Sequence, residues 1–238
     1  MTRASAQEFQ PQVEKFPRLQ VPPQLEFDEA TLARLLHHCH RRRYPPRAEI
    51  FRPGDDGNTL YYVIDGSLSV VSEDENGREL ILSYIATGDF IGEMGVFMEP
   101  QRRGVVTRCR TQCDLAEISY ERLWQVLDGP LKAECSKVLF AIGAQLTRRL
   151  LQTNRKVARL AFMDVTSRVA RQLVDLTQEP EAMEHPKGIQ VKVSRQELSR
   201  LVGCSREMVG RVLKQLEEAD KVTTRGKHII VHGASREG

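Results

Sequence analysis

The pattern of hydrophobic and polar positions is clearest near the end of the chain, where apolar residues recur every three or four positions. A helix that turns about 100° per residue from Arg206 onward places apolar side chains between about 200° and 340°, in a stripe that must be buried. The stripe consists of Met208, Val209, Val212, Leu213 and Leu216. Gly210 lies among charged residues on the opposite face, where a glycine costs about 1 kcal/mol relative to alanine. A close approach by another molecule at this face would explain that cost.

A shorter helical pattern precedes this one. Ser194 and Glu197 have the S-x-x-E spacing of a capping box, and the apolar positions that follow end at Gly203, which suits a left-handed turn. Ser205 can then cap the second helix. Two helices joined by a tight glycine turn are typical of a helix-turn-helix, whose second helix reads base edges in the major groove of DNA.

Strand-like runs flank the two helices. The run IQVKV (189–193) has β character, and KVTTRGKHIIV (221–231) reads as a hairpin that turns at residues 225–227. The sequence therefore predicts a winged helix-turn-helix. Arginine on its second helix can donate two hydrogen bonds to guanine, and glutamate can accept from cytosine. The alternative interpretation of the charged face is a solvated helix surface.

Residues 47–119 follow a different pattern. The stretch LYYVIDGSLSVVSEDENGRELILSYI contains two β-rich runs joined around Asn76-Gly77, which is a strong hairpin signal. Glycines recur every few residues, as they do at the turns of a small antiparallel barrel. This part of the sequence predicts a β-roll.

Residues 132–160 contain no proline and predict one long helix with an apolar stripe. The stripe consists of Leu139, Ile142, Leu146, Leu150, Val157 and Leu160, with Thr153 within it. The stripe can pack against the same helix of a second copy, or against the chain's own barrel. The helix-turn-helix favours a homodimer, because paired half-sites on DNA require a two-fold axis.

Composition and charge change this picture little. The 238 residues suffice for two domains, and the net charge of +3 is weak support for a nucleic-acid partner. The distribution is more informative, because residues 194–238 hold nine Lys/Arg against six Asp/Glu, and residues 147–159 hold five basic residues and no acidic one. A basic distal half suits a polyanion, although solvating charges on helix surfaces would produce the same pattern.

Several function classes are disfavoured by what the sequence does not contain. Residues 1–25 read as a loose polar arm without the apolar core of a signal peptide, and no run is long enough to span a membrane, so we expect a cytoplasmic protein. The five cysteines have no framework spacing, and HHCH (37–40) is the only metal-like cluster near the N-terminus. No nucleotide-hydrolysing P-loop, G-x-S-x-G or H-E-x-x-H motif is present, so we expect no enzyme.

The order of these parts, with the motifs GDFIGEMGVF, AEISYERL, LAFMDVTSR and VSRQELSRLVGCSREMVGRVLKQLE, resembles the CRP/FNR family of transcription regulators. The resemblance runs from about residue 40 to residue 233. It implies an α+β fold with a cyclic nucleotide-binding antiparallel β-roll (26–131), a dimerisation helix and hinge (132–162) and a C-terminal winged helix-turn-helix that binds DNA (163–238).

The resemblance also implies residues for a cyclic nucleotide site. Gly92 and Glu93 match the positions that hold the ribose, and Arg103 matches the position that binds the phosphate. The chemistry is suitable, because a carboxylate can accept from a ribose hydroxyl and an arginine fork suits a phosphate diester. Thr153 and Asn154 match positions on the long helix that touch the base.

One departure from the family pattern bears on which nucleotide we expect as the effector. Gly104 stands where members that respond to cyclic AMP typically have serine, so one hydroxyl donor is missing. The motifs HRRRYPPRAEIFRPGD, TLYYVIDGS and RTQCDLAEISYERL are similar to a branch associated with cyclic di-GMP. We therefore expect cyclic di-GMP to lower DNA binding, with a cyclic AMP-activated regulator as the alternative. A metal or redox sensor on the same scaffold is a further alternative, but Cys39 stands alone and no metal is expected.

For double-stranded DNA, the resemblance assigns base reading to Arg206, Glu207 and Arg211. The positions near phosphates, together with the capping residue between the helices, are Ser194, Arg195, Gln196, Ser205 and Lys214. Residues 182–188 and 40–43 match surfaces by which activators of this type engage RNA polymerase, although a turn and a solvated face would look the same. The resemblance thus implies a regulator that both activates and represses.

Overall fold

The structure is a computed structural model that describes residues 20–99, 101–179 and 181–235. Its described part divides into two compact units, the first ending at Thr153 and the second beginning at Asn154. The predicted N-terminal arm lies mostly outside the described residues, and within its last part Pro23–Leu25 form a 3-10 turn. The predicted α+β fold, with a β-rich N-terminal part, a long helix and a helix-turn-helix, is confirmed.

The first unit is built from two antiparallel four-stranded sheets, ordered β1-β8-β3-β6 and β2-β7-β4-β5. The strands are β1 (His40–Tyr44), β2 (Glu49–Phe51), β3 (Thr59–Asp65), β4 (Ser67–Glu73), β5 (Glu79–Ala86), β6 (Phe90–Ile91), β7 (Val106–Cys109) and β8 (Cys113–Ser119). The helices are α1 (Glu29–His37), α2 (Met94–Phe97), α3 (Tyr120–Asp128) and α4 (Cys135–Phe162), whose last part belongs to the second unit, with a 3-10 turn at Lys132–Glu134.

Two details of the β-roll differ from the sequence pattern. The first of the two β-rich runs is in fact two strands, because Gly66 breaks it with a φ of 101° and sends β3 and β4 into different sheets. A Cβ at Gly66 would lie 2.4 Å from the carbonyl oxygen of Gln112, so no side chain fits there. Strand β1 was not predicted, since four of its five residues are exposed and it shows no alternation of apolar and polar positions.

The first part of α4 packs on the β-roll. Val138 and Ile142 are fully buried in a cluster that also contains Leu60 of β3 and Leu123 of α3. The interpretation that the long helix lies on its own barrel therefore holds for this part of α4. Further along the stripe, Leu150 is 61% exposed.

The second unit contains three helices beside the end of α4 and a four-stranded antiparallel sheet ordered β11-β12-β10-β9. The elements are α5 (Val165–Leu176), β9 (Met183–His185), β10 (Gly188–Lys192), α6 (Arg195–Val202), α7 (Arg206–Glu218), β11 (Val222–Arg225) and β12 (His228–His232). The hairpin predicted to turn at 225–227 is confirmed, and β9 pairs with β10 at the edge of the sheet, where the sequence pattern predicts no strand.

The local signals of the helix-turn-helix are all confirmed. The Ser194 hydroxyl accepts from the Glu197 amide at 3.1 Å and caps α6. Gly203 ends α6 in the left-handed conformation, with φ 66° and ψ 52°. The Ser205 hydroxyl then accepts from the Met208 amide at 3.2 Å and caps α7. Short-range chemistry therefore sets where α6 ends and where α7 begins.

We predict that Gly203→Ala lowers the melting temperature of the second unit, because a Cβ in the left-handed region costs about 1–2 kcal/mol. Gly143→Ala provides the contrast of the same substitution at a helical glycine of the first unit. This glycine lies inside α4, where a Cβ would meet no described heavy atom within 4 Å, so alanine should raise stability by up to about 1 kcal/mol. Calorimetric unfolding compares the two, and an unchanged melting temperature for Gly203→Ala would contradict the role of this cap.

Candidate ligand pocket and nucleic-acid interface

Glu93, the predicted ribose ligand, is held by an arginine of α4. It is only 6% exposed at the start of α2, and Nη1 of Arg149 donates to its Oε1 at 2.5 Å. Nη2 of the same arginine donates to the carbonyl oxygen of Phe90 at 2.7 Å. A buried carboxylate needs such a partner to remain charged, so a ligand that binds Glu93 must approach this ion pair.

Gln145, one helical turn before Arg149, reinforces this connection. Its Oε1 accepts from the backbone amide of Phe90 at 2.7 Å, and its Nε2 donates to the carbonyl oxygen of the same residue at 2.8 Å. Sequence reasoning missed Gln145 and Arg149, because Arg149 belongs to the basic run 147–159 and resembles a solvating charge. The i, i+4 spacing on one helix was the only available signal.

Arg103, the predicted phosphate ligand, faces into the β-roll. Its Nη2 donates to the carbonyl oxygen of Thr59 at 2.6 Å, and its Nη1 donates to the hydroxyl of Tyr120 at 3.3 Å. The guanidinium also stacks on Phe51, with Cζ 4.5 Å from the ring centre. Its Nε is buried and has no hydrogen-bond partner among the described residues. Two nitrogens of the guanidinium are thus held by the fold, while Nε stays unsatisfied.

Gly92 completes this cluster. Its φ is 81°, and a Cβ would lie 2.6 Å from the carbonyl oxygen of Thr59 and 2.8 Å from Nη1 of Arg103. The hydroxyl of Tyr120 donates to the Gly92 carbonyl at 2.6 Å, and burial raises the pKa of Tyr120, which keeps that proton in place. The glycine therefore permits a close approach of the backbone to Arg103. Gly104, which follows Arg103 in the sequence, is exposed, and a Cβ there would meet no heavy atom within 4 Å in the described chain.

The other predicted ligand positions lie further along α4. Thr153 is the last residue of the first unit and Asn154 the first of the second, and both are exposed. The structure thus brings together Gly92, Glu93 and Arg103, whereas the base-contacting role of Thr153 and Asn154 stays a prediction.

The polar face of α7 forms one side of an open surface depression. Six of the eight predicted DNA-contacting residues line it together with Gly210: Arg195, Ser205, Arg206, Glu207, Arg211 and Lys214. Of the remaining two, Ser194 is half-buried as the cap of α6, and Gln196 is exposed in the first turn of α6. The exposed Lys214 lies 3.9 Å from Glu218, a surface pair that contributes little to stability. Four cationic side chains and one carboxylate therefore line the depression around Gly210, which has no side chain.

The predicted apolar stripe of α7 is confirmed with one exception. Val209, Val212, Leu213 and Leu216 are buried, but Met208 is 37% exposed. The expectation that Met208 is buried was wrong because it lies at the edge of the stripe, near 200°, whereas the other four fall between about 240° and 340°.

The alternative of a metal or redox sensor depends on the cysteines and on clusters of metal-binding side chains. All five cysteines are free thiols, and burial raises the pKa of Cys39 to about 11 and that of Cys109, which lies beside Cys113, to about 12. Thiols with such pKa values carry little thiolate at neutral pH and react slowly. Among the described residues, no group of three or more His, Cys, Asp or Glu is placed to hold a metal ion.

Comparison with known proteins assigns a family to each of the two parts of the chain that contain the candidate sites. Residues 41–129 match the family described as "Cyclic nucleotide-binding domain", and residues 167–236 match the "Crp-like helix-turn-helix domain". The chain is 56% identical over 211 residues to the CRP-like protein Clp of Xanthomonas campestris pv. campestris (strain B100), with 89% of this chain and 92% of that relative covered. The chain belongs to the CRP/FNR family of transcription regulators.

Solved structures of other CRP/FNR regulators agree with this assignment. The chain superposes with a TM-score of 0.83 and 56% identity on the c-di-GMP responsive global regulator CLP of Xanthomonas campestris, covering 87% of this chain and 100% of that one. A CRP/FNR family regulator of Thermus thermophilus, TTHA1359, has a TM-score of 0.67 at 25% identity, with 81% and 93% covered.

As a CRP/FNR family member, the chain is a cyclic nucleotide-binding transcription regulator and not an enzyme. No helix in the ranges that the structure describes is long and apolar enough to cross a membrane.

We predict that Arg149→Met lowers the free energy of unfolding by about 3–5 kcal/mol, because it leaves the Glu93 carboxylate buried without its cation. Adding Glu93→Gln removes that charge and should recover a large part of the loss. Chemical denaturation of the wild type, both single variants and the double variant measures the coupling energy between Arg149 and Glu93. Strictly additive effects would show that the pair is not coupled.

Proposed function

We propose that this CRP/FNR family member is a homodimeric, cytoplasmic regulator that binds palindromic double-stranded DNA and is controlled by cyclic di-GMP. The observation that carries the DNA-binding part is the polar face of α7, where the predicted base readers Arg206, Glu207 and Arg211 are exposed around one depression. In the proposed complex α7 enters the major groove, the arginines contact guanines and Glu207 accepts from cytosine.

The dimer of this proposal forms through the later part of α4. Leu150 is 61%, Val157 59% and Leu160 37% exposed, and their spacings of seven and three continue the stripe of the helix. Apolar side chains at such spacing on a long helix bury their surface when the same helix of a second copy packs against them. A two-fold dimer of this kind presents two copies of α7 to successive major grooves.

The effector part of the proposal rests on Arg103 and Gly104. Cyclic AMP offers one phosphate, and beside Arg103 this chain has no hydroxyl at Gly104 to donate to it. Cyclic di-GMP offers two phosphates and two guanines, and residues 147–156 of α4 supply arginines, a lysine and amide groups for them. The relative CLP, 56% identical, is described as c-di-GMP responsive. For cyclic di-GMP to lower DNA binding, it must bind the non-DNA-binding state more tightly, since a ligand with equal affinity for both states shifts nothing.

Contacts with RNA polymerase complete the proposal, so that the protein activates at some promoters and represses at others. The basic strand β1 is exposed over residues 40–43, and β9 with the following turn exposes most of residues 183–187. Both segments are therefore accessible to a large partner.

We predict that Arg206→Ala and Arg211→Ala each weaken binding to a DNA site selected from a random library by about 1–3 kcal/mol and relax base preference. Lys214→Ala should weaken all sequences alike and flatten the dependence on salt, because it removes a phosphate contact. Titration of selected and scrambled DNA at several salt concentrations checks both. Unchanged discrimination by Arg206→Ala would show that the recognition face is misassigned.

We predict that cyclic di-GMP binds and lowers DNA affinity, while cyclic AMP binds weakly. Gly104→Ser should strengthen cyclic AMP binding by about 1 kcal/mol, because it restores one hydroxyl donor at an open position. Gly104→Ala is the matched control without the hydroxyl. Calorimetric binding of each nucleotide is paired with DNA titration. Micromolar cyclic AMP binding that strengthens the DNA complex, with no response to cyclic di-GMP, would favour the cyclic AMP-activated alternative.

A further inference from the structure

Nothing in the described chain requires a glycine at position 210. Its φ lies outside the left-handed region, so the backbone conformation suits any residue. A Cβ built there would meet only Nη1 of Arg195, at 3.9 Å, which is an ordinary van der Waals contact with the end of a flexible side chain. Neither strain nor packing within the described residues therefore accounts for the missing side chain.

The glycine nevertheless weakens the helix that carries it. Gly210 is the fifth of the thirteen residues of α7, and a glycine in a helix interior is less favourable than alanine. Alanine would fit and would stabilise α7. The glycine thus occupies a position where a side chain would stabilise the folded chain.

The surroundings of Gly210 indicate what occupies this space. Arg206 lies one turn before it, Arg211 directly after it and Lys214 one turn after it, and all three line the same depression. Each of these cations reaches outward on a long side chain. Between them, Gly210 is half-buried and has no side chain, so a flat or convex polyanion can come close to the backbone of α7 there.

We infer that Gly210 is the point of closest approach between α7 and the base-pair edges of the major groove, and that its missing side chain lets Arg206 and Arg211 reach their bases. This inference rests on the proposed DNA-binding function. The base edges are preferred over the phosphates, because two predicted base readers, Arg206 and Arg211, flank Gly210 along α7 itself, whereas the predicted phosphate contact Arg195 reaches the same depression from α6.

Gly210→Ala tests the inference directly. The added methyl group should hold α7 away from the groove floor and weaken binding to the selected DNA by about tenfold or more, with affinity for scrambled DNA changed less than about twofold. The melting temperature of the second unit should stay the same or rise, since alanine favours the helix. Gly210→Leu should lose more affinity for the selected site than Gly210→Ala.

Gln215→Ala is the matched control, because Gln215 is exposed on α7 but does not line the depression, and it should leave both affinities unchanged. Selected-site affinity that is unchanged in Gly210→Ala, an equal loss on both DNAs, or a lower melting temperature would each overturn the inference. Failure of the proposed function looks different, because the wild type would then not discriminate selected from scrambled DNA at all.

Discussion

The attachment of α4 to the segment from β6 to the start of α2 is the constraint on which the first unit depends. Gln145 binds both backbone groups of Phe90, and Arg149 binds Glu93 and the Phe90 carbonyl. Because Gln145 and Glu93 are buried, removing the partner of either one leaves an unsatisfied polar group, which costs about 1–3 kcal/mol or more for a charge. Glu93, the residue predicted to bind the ribose, is therefore attached directly to the long helix α4.

Under the proposed function, this attachment gives a physical route from the bound nucleotide to α4. A nucleotide that draws the Glu93 carboxylate toward a ribose hydroxyl must compete with Arg149, and a phosphate that recruits Arg103 competes with Thr59 and Tyr120. Those exchanges take place within the β-roll, but α4 continues unbroken to Phe162, beyond its exposed apolar residues. A change at Glu93 therefore acts on the same helix that the proposed dimer uses.

The sequence was most informative where the structure depends on neighbours along the chain. The caps at Ser194 and Ser205 and the left-handed turn at Gly203 follow from local chemistry, and the structure confirms each. The Asn76-Gly77 hairpin belongs to the same class, since β4 and β5 pair around it.

Prediction from the sequence failed where contacts between residues far apart in the chain determine the position of a side chain or strand. Arg149 looks like any other residue of a basic run until the fold brings Glu93 to it, 56 positions away. Strand β1 carries no apolar pattern, because it is an edge strand whose pairing with β8 is made by its backbone. The inward direction of Arg103 likewise depends on Thr59 and Tyr120, which no spacing in the sequence connects to it.

The central proposal, that cyclic di-GMP lowers DNA binding by a dimer that presents two α7 helices to successive major grooves, is tested most directly by footprinting on a selected DNA with and without cyclic di-GMP. The account predicts two protected half-sites centred about one helical turn apart, with protection lost when the nucleotide is added. Protection of a single half-site, or of both half-sites regardless of the nucleotide, would contradict it.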